Sequence, residues 1–248
     1  MPRRRAALTD GVAVEIVVVR LDDLRRARPE ELARVCTPEE LQRADRMPLR
    51  RNAERAVRSR GLLRVLLSER LGVPPERIAL LRDRTGKLRS GDDADLRFNV
   101  SASRDTAVYA FRYGAEVGVD VEAMDAGLDV GAIARQFFPP AEEAELMSAP
   151  ESMRRARFHR SWCRKEALLK AQGSGLRRVM HEIVAPSSAH VALLPEPFPG
   201  EPGWAVCDLD VAPDHAAAVA SQGTGWLPVV RLRGEVSAPA EPAPSGIG

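Results

Sequence analysis

Four ionisable side chains in two short stretches have the types and spacing for chemistry on a charged substrate. In "VGVDVE", Asp120 and Glu122 stand one residue apart in an otherwise apolar run. On a strand both carboxylates point to one side, while Val117, Val119 and Val121 point to the other. In "FHRSWCRKEALLKAQGSGL", Trp162, Glu166 and Lys170 recur every four residues, so they share a broad helix face, with Lys165 beside the glutamate. Carboxylates on an apolar strand are costly unless water or a cation satisfies them. "DVE" therefore reads either as an edge strand with one wet face or as a site for a hard cation such as Mg²⁺, which takes carboxylate oxygens and substrate phosphates. Glu166 and Lys170 read either as a solvated i, i+4 pair worth a few tenths of a kcal/mol or as a carboxylate and an ammonium facing phosphate. Trp162 suggests that this face is partly covered, and Arg164 and Lys165 add positive charge beside it.

The elements that must position these groups follow from periodicity, and their order appears twice. The first pass has a strand at Val12–Leu21, a helix near Asp22–Arg34, and "CTPEELQRAD", with Thr37 as N-cap, Pro38 at N1 and acids in the first turn. A long helix, "NAERAVRSRGLLRVLLSERLG", ends at Gly72, and "RIALLRD" reads as a strand. The second pass has the strand "EVGVDVEAMD", the helix "VGAIARQF", the proline-then-acids start "FPPAEEAELMSA", a long helix closed by Gly173, and the strand "HEIVAP". Val14 and Val119, Glu39 and Glu142, and Leu62 and Ala167 are each separated by a little over a hundred residues, which suggests a duplicated unit. Between the passes, "DLRFNVSASRDTAVYAFRYGAEVGVDVE" reads as two or three antiparallel strands with turns at "SASRD" and "YGAE". The expected fold is α+β: two similar α/β subdomains, 12–115 and 116–234, with antiparallel sheets and a ligand cleft between them. Disordered ends are expected at 1–11 and 235–248.

The totals fit that reading. The chain has 248 residues, 44% hydrophobic and 29% charged, enough for a real core. A net charge of +2 argues against nucleic acid as a partner. Cys36, Cys163 and Cys207 are scattered without a CxxC, which speaks against a disulfide framework or a zinc site and suits a reducing cytoplasm. Glu15 interrupts the apolar run after "MPRRR", so no membrane span is expected there.

Taken together, "FNVSAS", "VGVDVE" and the Phe158–Leu176 helix resemble the 4′-phosphopantetheinyl transferases, specifically the large, duplicated, surfactin-synthetase-activating type. The residues that carry the resemblance are Gly86–Lys87, Phe98–Ser103, the G-[VI]-D-[VI]-E strand Gly118–Glu122 and the W-x-x-K-E-A-x-x-K helix Trp162–Lys170. It covers about Val12 to Arg233. It implies transfer of the phosphopantetheine arm of coenzyme A to a serine of an apo acyl or peptidyl carrier protein, releasing adenosine 3′,5′-bisphosphate. By the same resemblance Asp120, Glu122 and Glu166 would hold Mg²⁺ (or Mn²⁺), Glu166 would take the serine proton, and Lys170 would face the phosphate oxygens with Lys165 in support. Arg60, Lys87, Ser101 and Ser103 would contact coenzyme A, although Ser103 reads equally well as a plain turn residue and Arg64 as structural or carrier-facing.

One departure stands out. The family usually has histidine between the two serines, and here the residue is Ala102. A charge-assisted hydrogen bond worth about 1.5–3 kcal/mol is then missing, and Arg104 in the same turn is the candidate to replace it. His159, His181, His190 and His215 read as surface or packing residues, and Phe137 and Phe138 as core or carrier-docking residues. Two other functions compete: a catalytically weak module that binds coenzyme A or a carrier, and another Mg²⁺-dependent enzyme acting on a nucleotide diphosphate. The second lacks a Walker motif or Gly-rich phosphate loop. A cytoplasmic monomer serving polyketide, nonribosomal peptide or fatty acid carriers is expected.

Overall fold

The computed structural model describes residues 13–23, 29–173, 180–185, 190–194 and 203–232; both expected tails lie outside them. The chain divides into two compact units, one running from Val19 to Ile78 and the other taking β1 (Ala13–Arg20) as far as Val18 together with Ala79–Leu232.

In the first of these, α1 (Pro29–Arg34) and α2 (Pro38–Asp45) pack on the long α3 (Arg50–Leu71). Thr37 caps α2 as its sequence predicts: its Oγ1 accepts from the Glu40 amide at 3.3 Å, and Glu40 Oε2 accepts from the Thr37 amide at 2.9 Å. Gly61 lets α1 approach closely, since a Cβ there would stand 2.4 Å from the Leu32 carbonyl oxygen. The buried Arg64 donates to Glu40 (3.0 and 3.2 Å) and to the carbonyls of Pro75 (3.3 Å) and Ile78 (3.0 Å). α3 ends where predicted, on Gly72 at φ 70°.

The second unit is layered. One sheet has the order β10-β1-β5-β4, with β4 at Leu96–Ser103, β5 at Thr106–Tyr113 and β10 at Leu227–Leu232. A second has the order β6-β9-β8-β7, with β6 at Val117–Ala123, β7 at Val191–Leu194, β8 at Trp204–Asp208 and β9 at His215–Gln222. All pairs in these sheets whose register is defined are antiparallel except β1–β10. Apolar alternation puts Val14, Ile16, Val108 and Ala110 of the first sheet in one core with Val117, Val119, Val121 and Val219 of the second. On the other face of the second sheet lies α6 (Glu151–Gln172), whose Ala167, Leu168 and Ala171 pack with Trp204, Val206, Ala218 and Ala220. The helices α4 (Val130–Phe137) and α5 (Pro140–Ser148) precede α6. A small hairpin, β2 (Leu80–Arg82) and β3 (Leu88–Ser90), completes the unit.

Two expectations need correction. "HEIVAP" is not a strand within the described residues. Met180–Glu182 is a 3-10 turn, and Ile183 and Ala185 are buried beside α6, where tertiary contact overrides the β propensity. The acid strand β6 does not extend the β4–β5 ladder; it pairs with β9 instead. Phe137 and Phe138 both serve packing, Phe137 edge-on to Trp162 at 5.7 Å and Phe138 stacked on Phe158 at 5.4 Å.

Candidate active site

β6 is the edge of its sheet, and its open side is met by side chains of β4 rather than by a backbone ladder. Asn99, Ser101 and Ser103 alternate along β4 and so share a face. Asn99 Oδ1 accepts from the Val119 amide at 2.9 Å, Ser101 donates to Asp120 Oδ1 at 2.9 Å, and Ser103 donates to Glu122 Oε2 at 3.1 Å. Ser103 Oγ also accepts from the Ala123 amide at 3.0 Å. Asp120 is therefore not on a wet face: it is 1% exposed.

α6 closes the other side. A Cβ at Gly118 would fall 2.1 Å from the Ala167 carbonyl oxygen and 2.3 Å from the Ala171 amide nitrogen, so this glycine sets how near the helix backbone can lie. The residues directly before these two contact points are Glu166 and Lys170. Lys170 Nζ donates to Asp120 Oδ1 at 2.6 Å and to Ser101 Oγ at 3.0 Å. Asp120 Oδ2 is buried without a hydrogen-bond partner among the described residues. Burial, reinforced by the charges of Asp120 and Glu122 and opposed by Lys170, pushes the Glu166 carboxyl up to about 7. Burial and the Asp120 charge push Glu122 up as well, against the hydrogen bond from Ser103 and the charges of Lys170 and His215.

Three carboxylates thus share a half-buried place with one ammonium, an excess of negative charge that a cation would relieve. Among the described residues no group of three His, Cys, Asp or Glu side chains is arranged to hold a metal ion. The donor set still fits a hard divalent cation in kind: all-oxygen ligands, one carboxylate oxygen left without a partner, and raised carboxyl pKa values.

The comparisons with known proteins agree with this geometry. Residues 116–220, which include β6, α6 and most of β9, match the family described as ACPS, the 4'-phosphopantetheinyl transferase superfamily. The chain is 32% identical to the 4'-phosphopantetheinyl transferase HetI of Nostoc sp. strain PCC 7120 over 209 residues, covering 83% of this chain and 86% of that protein. The chain belongs to the 4′-phosphopantetheinyl transferase superfamily. Two further relatives are 32% identical over 157 residues each. One is the 4'-phosphopantetheinyl transferase psf-1 of Bacillus pumilus, with 63% of this chain and 66% of that protein covered. The other is the L-aminoadipate-semialdehyde dehydrogenase-phosphopantetheinyl transferase of Xenopus laevis, with 58% and 51% covered.

In this transferase Asp120, Glu122, Glu166, Lys170, Ser101 and Ser103 come together. Lys165 is fully buried, points away from Glu166, and pairs with Glu142 of α5 at 2.6 Å. It also donates to the carbonyls of Met180 and Ile183. Lys87 is buried in contacts of its own, described below. Arg60 lies on α3, 3.6 Å from Glu40. Arg104 sits at the exposed β4–β5 turn with φ 53°, the only described non-glycine residue with positive φ, a conformation that costs energy and recurs at functional sites. The sequence reading missed His215. Its Nδ1 lies 2.8 Å from Asp214 Oδ1 and its Nε2 3.3 Å from the Ser103 carbonyl oxygen, beside the carboxylates. Only the strand pairing of β6 with β9 brings it there, so no local signal could have found it.

Proposed function

We propose that this protein transfers the 4′-phosphopantetheine group of coenzyme A to a serine of an apo acyl or peptidyl carrier protein, releasing adenosine 3′,5′-bisphosphate in a Mg²⁺-dependent reaction. The observation that supports it most is the convergence of Asp120, Glu122 and Glu166 with Lys170 on two elements that Gly118 holds together. The three carboxylates would hold the cation, which when bound supplies positive charge on the diphosphate. Glu166, with a pKa of about 7, is suited to accept the proton as the carrier's serine oxygen forms its bond to phosphorus and the anhydride oxygen leaves. Lys170 would stabilise charge on the phosphate oxygens. Ser101 and Ser103 of β4, with Arg104 in the β4–β5 turn, would contact coenzyme A, Arg104 taking the place left by Ala102, and Arg60 would reach the nucleotide.

We also read the chain as the large, duplicated type, with subdomains 12–115 and 116–234. Matching strand neighbours support this: β1-β5-β4 in one half, β6-β9-β8 in the other. We expect a cytoplasmic monomer, with carriers of polyketide or nonribosomal peptide synthesis among its partners.

Intact-mass spectrometry tests the reading. An apo carrier protein incubated with this protein, coenzyme A and Mg²⁺ should gain one phosphopantetheine group, and the gain should vanish with EDTA or in Glu166→Ala. Coenzyme A binding with no gain on several unrelated carriers would instead favour a binding module, with Ala102 as its cause.

A further inference from the structure

Of the 37 basic side chains only three are lysines: Lys87, Lys165 and Lys170. Two lie on α6, and the third reaches it from the β2–β3 hairpin. Lys87 is 9% exposed, and its ammonium makes three bonds, to Glu116 Oε2 (2.8 Å), the Val117 carbonyl (3.0 Å) and the Ala171 carbonyl (2.7 Å). An ammonium has three hydrogens to donate, and here the protein takes all three.

The acceptors join the two elements that carry the site. Val117 is the first residue of β6, three before Asp120; Ala171 follows Lys170 directly. The Ala171 carbonyl is one of the last four of α6, which have no partner within the helix and lie at the negative end of its dipole. The hairpin is fixed for this task. Asp83 Oδ1 accepts from the amides of Thr85 and Lys87, and Gly86 takes φ 86°. Thr85 stands against the helix-ending Gly173, where an added Cβ would be 2.7 Å from its Oγ1. Glu116, the third acceptor, is itself gripped by Arg89 (2.7 and 2.8 Å) and Arg97 (3.0 Å). The hairpin tip therefore caps the end of α6 and ties it to the start of β6.

We propose that Lys87 is a positioning residue that does not touch the nucleotide: by bonding the Val117 and Ala171 carbonyls it sets the register of α6 on β6, and so the placement of Glu166 and Lys170 against Asp120 and Glu122. Arginine does not replace it. A flat guanidinium is larger and does not direct donors to three acceptors around one nitrogen. The activity arm of the test rests on the transferase reading above; the exchange arm does not.

Hydrogen exchange on the ligand-free protein, with Lys87→Met against wild type, decides the matter first. Amides at the end of α6 and the start of β6 should exchange faster, because the opening they depend on becomes easier. In the transfer assay Lys87→Met should lose roughly 10²-fold in turnover, as small misplacements of reacting groups do. Its Kd for coenzyme A should stay within about threefold. Lys87→Arg should behave like Lys87→Met. The proposal is overturned by unchanged exchange, by coenzyme A affinity weakened about tenfold or more with exchange intact, or by full activity in Lys87→Arg, since arginine serves a phosphate well. If wild type transfers nothing, the functional reading fails while the exchange result still decides the clamp. If Lys87→Met does not fold, Lys87→Arg, whose guanidinium cannot direct donors from one nitrogen to both carbonyls, takes its place in the exchange experiment. Faster exchange at the same amides then supports the clamp, and unchanged exchange refutes it.

Discussion

α3 and α6 each run 22 residues, each follows a short helix with proline at its start, and each stops on a glycine with positive φ, 70° and 85°. On each, a buried cation closes the same circuit. Arg64 reaches Glu40 of α2 and the carbonyls of Pro75 and Ile78; Lys165 reaches Glu142 of α5 and the carbonyls of Met180 and Ile183. The next residue separates them: in α3 it is Val65, in the core, and in α6 it is Glu166, facing an acid strand. The framing circuit is common to both helices, and the chemistry belongs to one. Adjacent residues on a helix point about 100° apart, so Lys165 can belong to the frame and Glu166 to the site although they are neighbours in sequence.

Matched substitutions on the two helices separate these roles. Alanine at Gly118 or at Gly61 forces a helix away from the backbone it rests on, by contacts of 2.1 Å and 2.4 Å, and both should lower the melting temperature. Only Gly118→Ala should also cost roughly 10²-fold or more in transfer, measured at a temperature where both variants remain folded. Equal activity losses would mean that the glycines differ in nothing but location.

Breaking the framing circuits is the next largest effect. Lys165→Met should cost about 3–5 kcal/mol by urea unfolding, because Glu142 is left buried without its cation. Arg64→Met should cost less, since Arg60 remains 3.6 Å from Glu40.

The smallest effect concerns Glu166 alone. Its carboxyl titrates near 7 in the folded protein against an ordinary value of 4.5, so the folded state holds the proton more tightly. Stability therefore falls as pH rises from about 4.5 through 7 and stays low above that. In metal-free protein, Glu166→Gln should melt a few degrees above wild type at pH 8 and show no such gain at pH 4. A gain of equal size at both would show that the charge of Glu166 carries no cost.

Much of this was legible because it is local. The Thr37 cap, the terminal glycines, the β4–β5 hairpin and the face shared by Asp120 and Glu122 each depend on a few consecutive residues. Lys87 and Lys165 were not legible. Whether a lysine meets a phosphate or a carbonyl depends on partners 84 residues away for Lys87 and 18 for Lys165. "HEIVAP" misled for the same reason: its Ile183 carbonyl answers to Lys165 rather than to a neighbouring strand. His215 had no sequence signal, because it meets Ser103 across 112 residues.

The row of short polar side chains on β4 has a consequence outside catalysis. A strand at the rim of a sheet ordinarily offers bare amides and carbonyls to any extended segment that drifts past, including the same strand in another molecule. Asn99 and Ser103 occupy the Val119 and Ala123 amides, so β6 closes its rim with side chains and gives a stray strand no ladder to join. The atoms that hold the acid strand in place also discourage it from pairing with its own kind.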